Sequence, residues 1–238
     1  MMTSFNVSIP QNISGDMPVL YLLHGLSDNH SAWLRRSNVD LYAEQAGIAV
    51  VMPEVQRSFY TDMTHGLKYF RYIAEELPEI CRGIFRFSGR REDNFIAGLS
   101  MGGYGAMKTA LTYPDRFIAA ASFSGALDIR SRFHDTKDLM SVDECYAISR
   151  GVVLPKDDLF HLASEMAEKG DYPDIYITCG LSDFLYEDNK RFRSHLDSLS
   201  IPYAYEEWEG EHNWFFWEES IRRAIPKFIN KRSEYLQA

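Results

Sequence analysis

The sequence predicts an α/β protein with a mostly parallel central sheet covered by helices on both faces. Three observations carry that expectation. Short continuous apolar runs alternate with longer amphipathic stretches, and strands buried on both faces read as unbroken apolar runs rather than as alternating ones. One such run leads through a glycine-rich turn straight into a helix of small residues. The length of 238 residues, 45% hydrophobic and 14% aromatic, supplies one large core, because a chain of this size buries about 70–75% of its unfolded surface.

Along the chain, strands are expected at residues 19–23, 48–52, 94–97, 118–123, 175–179 and 203–208. Helices are expected at 33–45, 67–81, 102–112, 187–199 and 214–229. Pro114 follows the third helix, and Pro78 inside the second should kink or end it, since proline lacks the N–H that continues the ladder. No repeat or linker divides the chain, so a single domain over 1–238 is expected. The irregular stretch 127–173, with mixed charge and a helical run over 158–169, is longer than a simple crossover needs. Open α/β sheets place their sites at the carboxyl ends of the strands, so this stretch reads as a small cap-like insertion near such a site.

Against 25 Lys and Arg stand 34 Asp and Glu, a net charge of −9. That balance disfavours nucleic acid and anionic membrane surfaces as partners. No apolar run approaches the ~20 residues of a membrane span, and the start shows no basic segment followed by an apolar one. A cytoplasmic protein acting on a small molecule is the expectation, with a homodimer left open. Cys81, Cys145 and Cys179 form no CxxC pair and no zinc pattern, so they read as reduced thiols in or near a core, with no metal and no cofactor implied.

Gly98-Leu99-Ser100-Met101-Gly102 matches G-x-S-x-G, set between the strand 94–97 and the helix that follows. That context holds a serine hydroxyl out on a sharp, strained turn, with glycines where side chains would collide with strand and helix. A serine hydroxyl is a poor nucleophile at neutral pH, so it needs a base, and the base needs an orienting acid. On this architecture the chain order is serine, acid, histidine. Four histidines follow Ser100. His134 and His161 fall in the insertion and His195 lies mid-helix, whereas His212 sits in the loop Glu209-Gly210-Glu211-His212-Asn213 after the last strand. His212 is the candidate base. Asp183, in the turn Gly180-Leu181-Ser182-Asp183 after the strand 175–179, is the candidate acid, and Asp188 on the following helix is its closest competitor. The backbone N–H groups of Met101 and of Leu26, in the loop after the first strand, are the candidate oxyanion donors. His24 reads as a residue that shapes that loop. An acyl pocket bounded by the Leu26 loop, the 125–127 turn and the 212–217 segment puts Leu127, Trp214 and Trp217 against substrate.

Leu22-Leu23-His24-Gly25, the run from Gly98 to Gly105, Cys179-Gly180-Leu181-Ser182-Asp183-Phe184 and His212-Asn213-Trp214 resemble the esterase D family of α/β-hydrolases, over about residues 5–229. That group includes S-formylglutathione hydrolases, tributyrin and acetyl esterases, and feruloyl or acetylxylan esterases. The resemblance implies the α/β-hydrolase fold, Ser100 as nucleophile, Asp183 and His212 as its partners, and Leu26 and Met101 as oxyanion donors. It implies a serine carboxylesterase for short acyl esters, acetyl to butyryl, including acetylated or feruloylated sugars. Thioester hydrolysis on S-formylglutathione, or a non-hydrolytic binding or acyl-transfer scaffold on the same fold, are the alternatives. Family members usually carry an extra edge strand before the run equivalent to 5–10. With only 23 residues before His24, either that edge lies exposed and open to pairing or the sequence starts late.

Overall fold

The computed structural model describes residues 2–11, 15–134 and 140–237. A seven-stranded sheet in the order β1-β3-β2-β4-β5-β6-β7 forms its centre. These strands are β1 (Phe5–Ser8), β2 (Val19–Leu23), β3 (Ala49–Pro53), β4 (Asn94–Leu99), β5 (Ala119–Phe123), β6 (Asp174–Gly180) and β7 (Ala204–Trp208). Neighbours pair in parallel, except that β1 runs antiparallel along β3 at one edge. Every residue of β2, β3, β4 and β5 is buried, which accounts for their unbroken apolar runs.

The two sides of each strand feed two cores. Leu20 and Leu22 join α1 (Ala32–Arg36), α2 (Val39–Ala46) and α10 (Trp214–Gln237) on one face. Val19, Tyr21 and Leu23 join α3 (Tyr69–Arg71), α4 (Leu77–Phe85), α5 (Met101–Thr112), α8 (Leu159–Lys169) and α9 (Tyr186–Ser198) on the other. Between β5 and α8 the chain forms α6 (Ile129–His134), α7 (Val142–Ser149) and a short turn at Pro155–Asp157. α8 then lies along α5 and buries Leu159, Leu162, Ala163 and Met166.

The structure departs from the sequence expectations at three helices. The helix expected over 33–45 is two, because Ser37 is extended (φ −140°, ψ 169°) and its hydroxyl donates to the Trp33 carbonyl at 2.7 Å. Pro78 does not end its helix. The turn before it, Tyr72–Glu76, is π-helical, and the helix runs on without a break into α4, a local distortion of the kind that absorbs a proline inside a helix. The Ala74 carbonyl, which no proline N–H can reach, accepts from Arg116 Nη1 at 2.7 Å instead. α10 runs on past residue 229, through Pro226, to Gln237.

Candidate active site

The turn after β4 fixes the position of Ser100. Its backbone sits at φ 54° and ψ −118°, a left-handed conformation that costs an L-residue energy and persists only when the surroundings impose it. They do so through three hydrogen bonds: Ser100 N–H to Phe123 O at 2.9 Å, and Tyr104 N–H and Ala126 N–H to Ser100 O at 3.2 and 3.1 Å. Strand and helix meet so closely that a Cβ on Gly98 would lie 2.4 Å from the Gly102 backbone, and one on Gly102 would lie 2.5 Å from the Leu23 carbonyl. Both glycines of the motif are therefore required by contact.

His212 Nε2 is 2.9 Å from Ser100 Oγ, and its Nδ1 lies 2.9 and 3.0 Å from the two carboxylate oxygens of Asp183. Because a carboxylate accepts, Nδ1–H donates to Asp183 and Nε2 is left to accept the serine proton. The Asp183 side chain is fully buried. Its turn is tied to the histidine loop by Leu181 N–H to Trp208 O (3.1 Å) and Ser182 N–H to Gly210 O (3.0 Å). Phe184 and Trp217 pack on the imidazole with ring centres 4.4 and 4.9 Å away. Asp188 lies one turn into α9, where Arg191 Nη2 donates to it at 2.7 Å, so of the two carboxylates Asp183 is the one at the imidazole. Elsewhere, His195 Nε2–H donates to the Phe160 carbonyl at 2.8 Å, and half-exposed His161 pairs with Glu165. The side chain of His134 lies outside the described residues.

Ser100 and His212 open into a cavity of about 270 Å³ bordered by Leu26, Arg57, Phe59, Phe184 and Trp217. Met101 begins α5, so its N–H has no partner within the helix, and it lines the same cavity as Leu26. His24 is 1% exposed. Its Nδ1–H donates to Gly25 O at 2.7 Å, and its Nε2 accepts from Val55 N–H at 3.2 Å. Both ring nitrogens are thus spent on shaping the loop. Asp28 also borders the cavity, and burial raises its carboxyl above the ordinary value of 3.8 despite nearby His24, Arg36 and Arg35.

Two of the three expected substrate contacts need correction. Trp217 lines the cavity, but Leu127 is fully buried and Ala126, one residue earlier, takes its place there. Trp214 lies behind Trp217, edge-on to it at 5.4 Å, and faces a different hollow beside Arg35 and Arg36. Sequence reasoning missed Phe59, Phe184, Asp28 and Arg57 as cavity residues. Phe184 follows Asp183 directly and was legible by adjacency. The loop that brings in Arg57 and Phe59 has no pattern that points to the site.

Among the described residues no group of three or more His, Cys, Asp or Glu is arranged to hold a metal ion, and no helix is long and apolar enough to cross a membrane. A strained serine after a parallel strand, hydrogen-bonded through histidine to a buried aspartate, defines a serine hydrolase of the α/β-hydrolase fold. The chain belongs to the Esterase family, whose model matches residues 2–228. It is 34% identical over 230 residues to the acetyl esterase of Caldicellulosiruptor saccharolyticus, covering 93% of this chain and 86% of that one. The solved structure of FphF, a fluorophosphonate-binding serine hydrolase of Staphylococcus aureus, superposes with a TM-score of 0.87 at 33% identity, over 94% of this chain and 91% of the other. The S-formylglutathione hydrolase FrmB of the same organism superposes at 0.86 with 32% identity, over 95% and 92%. The protein is accordingly a serine esterase, a hydrolase of carboxylic ester bonds of the esterase D type.

Proposed function

We propose that the protein hydrolyses short acyl esters, acetyl to butyryl, with Ser100 as nucleophile, His212 as general base and Asp183 as its orienting acid. The observation that carries this reading is the continuous relay from Asp183 through His212 to Ser100, open to a cavity of only about 270 Å³. Ser100 Oγ bonds to the ester carbon while its proton passes to His212 Nε2, and the carbonyl oxygen takes up charge facing Leu26 N–H and Met101 N–H. Collapse expels the alcohol, which takes the proton from His212. Water, deprotonated by the same nitrogen, then releases the acid and restores Ser100. Trp217, with Phe59 and Phe184, supplies apolar wall for the acyl group. The likeness to an acetyl esterase supports a short acyl chain. Acetylated or feruloylated sugars belong to the same reading.

A second reading, S-formylglutathione hydrolysis, is favoured by the likeness to FrmB. Hydrolysis of 4-nitrophenyl esters from acetate to octanoate, with S-formylglutathione alongside, tests both. Turnover falling with chain length and lost in Ser100→Ala supports the first. Turnover of the thioester alone, by folded protein, would replace it with the second.

The residues around 127–173, of which 135–139 lie outside those described, complete the reading as a small cap on a single domain. α7 reaches the cavity rim where Glu144 pairs with Arg57 at 2.6 Å, and truncating that pair should alter KM across the ester series. A cytoplasmic setting is supported by three unpaired buried cysteines, with the Cys81 thiol pushed up to about 12 by burial, the condition of an inert structural thiol. The charge of −9 supports a small-molecule partner over nucleic acid. A homodimer belongs to the reading as well, and light scattering is the direct check.

A further inference from the structure

Lys108 lies on α5, two turns beyond Ser100, and is 1% exposed. A lysine ammonium is costly to bury unless it is paired and hydrogen-bonded, and leucine would fill such a site more cheaply. Its partners are specific. The ammonium contacts the Asp157 carboxylate, donates to Tyr60 O at 3.1 Å and to Thr61 Oγ1 at 3.4 Å, and lies 4.4 Å from the centre of the Phe70 ring. Asp157 comes from the turn before α8, and its own carbonyl accepts from Tyr104 Oη at 2.6 Å. Burial lowers the lysine below its ordinary value of 10.5 in spite of Asp157.

The Tyr60 end of this contact leads to the oxyanion loop. Gln56, Phe59 and Tyr60 all sit at positive φ (54°, 50° and 47°), a strained run of non-glycine residues that the surroundings must hold. Tyr60 is fully buried, and its ring lies so close to α5 that a Cβ on Gly105 would be 2.4 Å from it. From there Tyr60 Oη donates to the His24 carbonyl at 2.9 Å. His24 immediately precedes Gly25-Leu26, and Met101 begins the helix that carries Gly105 and Lys108. One donor of the oxyanion pair thus hangs from Tyr60, the other heads α5, and Lys108 ties the two together.

We propose that Lys108 and Tyr60 are positioning residues for ester hydrolysis: Lys108, clamped by Asp157, holds Tyr60 under the oxyanion loop and so fixes the Leu26 N–H relative to the Met101 N–H. The inference rests on the proposed roles of those two amides. It gives the 127–173 segment a part in catalysis through Asp157, without contact with substrate. Donors that must meet a charge present only in the transition state lower kcat when misplaced and leave ground-state binding nearly untouched.

Three variants test it on 4-nitrophenyl acetate: Tyr60→Phe, Lys108→Met, and the double variant Lys108→Met/Asp157→Leu. An apolar replacement of a whole buried ion pair is often neutral or stabilising, so the double variant separates the strut from the fold. Tyr60→Phe removes one hydroxyl and keeps the ring, so it serves if the others do not fold. For Tyr60→Phe the expected result is kcat lower by about tenfold with KM within twofold. For the folded double variant it is kcat lower by about 10–100-fold, and in both a trifluoromethyl ketone, which mimics the tetrahedral adduct, should lose affinity in proportion to kcat. A kcat within twofold of wild type in folded Tyr60→Phe and in the double variant overturns the proposal. So does a change confined to KM. Ser100→Ala run in parallel keeps the two claims apart, since its residual activity reports on the nucleophile alone.

Discussion

At the Ser100 turn the contacts are backbone to backbone and tight, with two glycines that tolerate no Cβ and a serine held at φ 54° by hydrogen bonds with Phe123, Tyr104 and Ala126. The 127–173 segment is built the other way. It meets the rest of the molecule through separated polar anchors such as Lys108–Asp157, Tyr104–Asp157 and Arg57–Glu144, together with the apolar face of α8. The nucleophile is thus set by close backbone packing of strand against helix, whereas the segment beside it is tied in by side-chain contacts between residues 49 to 87 positions apart. Mutation at the turn should accordingly cost chemistry without stability, whereas mutation at the anchors should cost stability, and at Lys108–Asp157 kcat with it.

The largest effect belongs to the turn. Ser100→Ala should lower kcat by on the order of 10⁴-fold or more, with the thermal midpoint almost unchanged, because the serine side chain contributes one hydrogen bond to the relay and little packing. Asp183→Asn should cost about 10⁴-fold as well, since an amide in place of the carboxylate no longer holds Nδ1–H of His212 in place. Steady-state kinetics with calorimetry on the same samples checks both. A large fall in stability in Ser100→Ala would break the separation.

Asp157→Ala should act on stability as well as on kcat. It leaves the Lys108 ammonium buried without its counter-charge, a loss of about 3–5 kcal/mol in comparable cases. Chemical denaturation should show that destabilisation, and the double variant Lys108→Met/Asp157→Leu should recover it. Failure of the double variant to recover would mean that the pair is not what secures this segment.

That contrast also explains what the sequence made legible. The turn could be read because the close approach of strand and helix between Gly98 and Gly102 shows as G-x-S-x-G within five residues, and Asp183 and His212 could be placed because each follows a strand by a short loop. Lys108 could not, since a lysine among Met107, Thr109 and Ala110 shows no trace of a carboxylate 49 positions away. The same limit produced the misplacement of Leu127: the pocket wall was sited on the correct turn, but which of Ala126 and Leu127 faces the cavity depends on backbone direction after β5. The π-helical turn before Pro78 was no more legible, and the residue that takes the Ala74 carbonyl there, Arg116, lies 42 positions away.

A smaller effect is expected where β4 begins. Asp93 is fully buried and receives Ser88 Oγ at 2.6 Å, Arg90 Nη2 at 2.7 Å and, from α10, Arg232 Nε at 2.6 Å. Burial works against its charge, but these donors together outweigh it and hold the carboxyl below its ordinary 3.8. The unfolded chain therefore takes up this proton before the folded one does. The stabilisation is complete above pH 3.8 and is lost as pH falls below it. Asp93→Asn should cost about 1.5–3 kcal/mol at pH 7, with the gap to wild type closing in urea titrations near pH 3. A gap that stays constant with pH would assign the loss to packing instead.

The smallest effect returns to the 127–173 segment and asks whether the ends of α7 matter to catalysis. Ser141 caps α7 by accepting Glu144 N–H at 3.1 Å, while Glu144 Oε2 accepts Ser141 N–H at 2.8 Å and its other oxygen accepts from Arg57 Nε at 2.6 Å. Removing the hydroxyl in Ser141→Ala should cost about 1 kcal/mol, concentrated in α7, so that amide exchange over residues 142–149 quickens while the sheet keeps its protection. Arg57 borders the cavity, and with Glu144 less firmly held its guanidinium gains freedom, which should move KM by a small factor. The Ser100–His212–Asp183 relay has no partner on α7, so kcat should stay within about twofold of wild type. If kcat instead fell together with the helix cap, α7 would have to reach the oxyanion frame by a route other than Asp157, and the division between a turn held by backbone packing and a segment held by side-chain anchors would not hold.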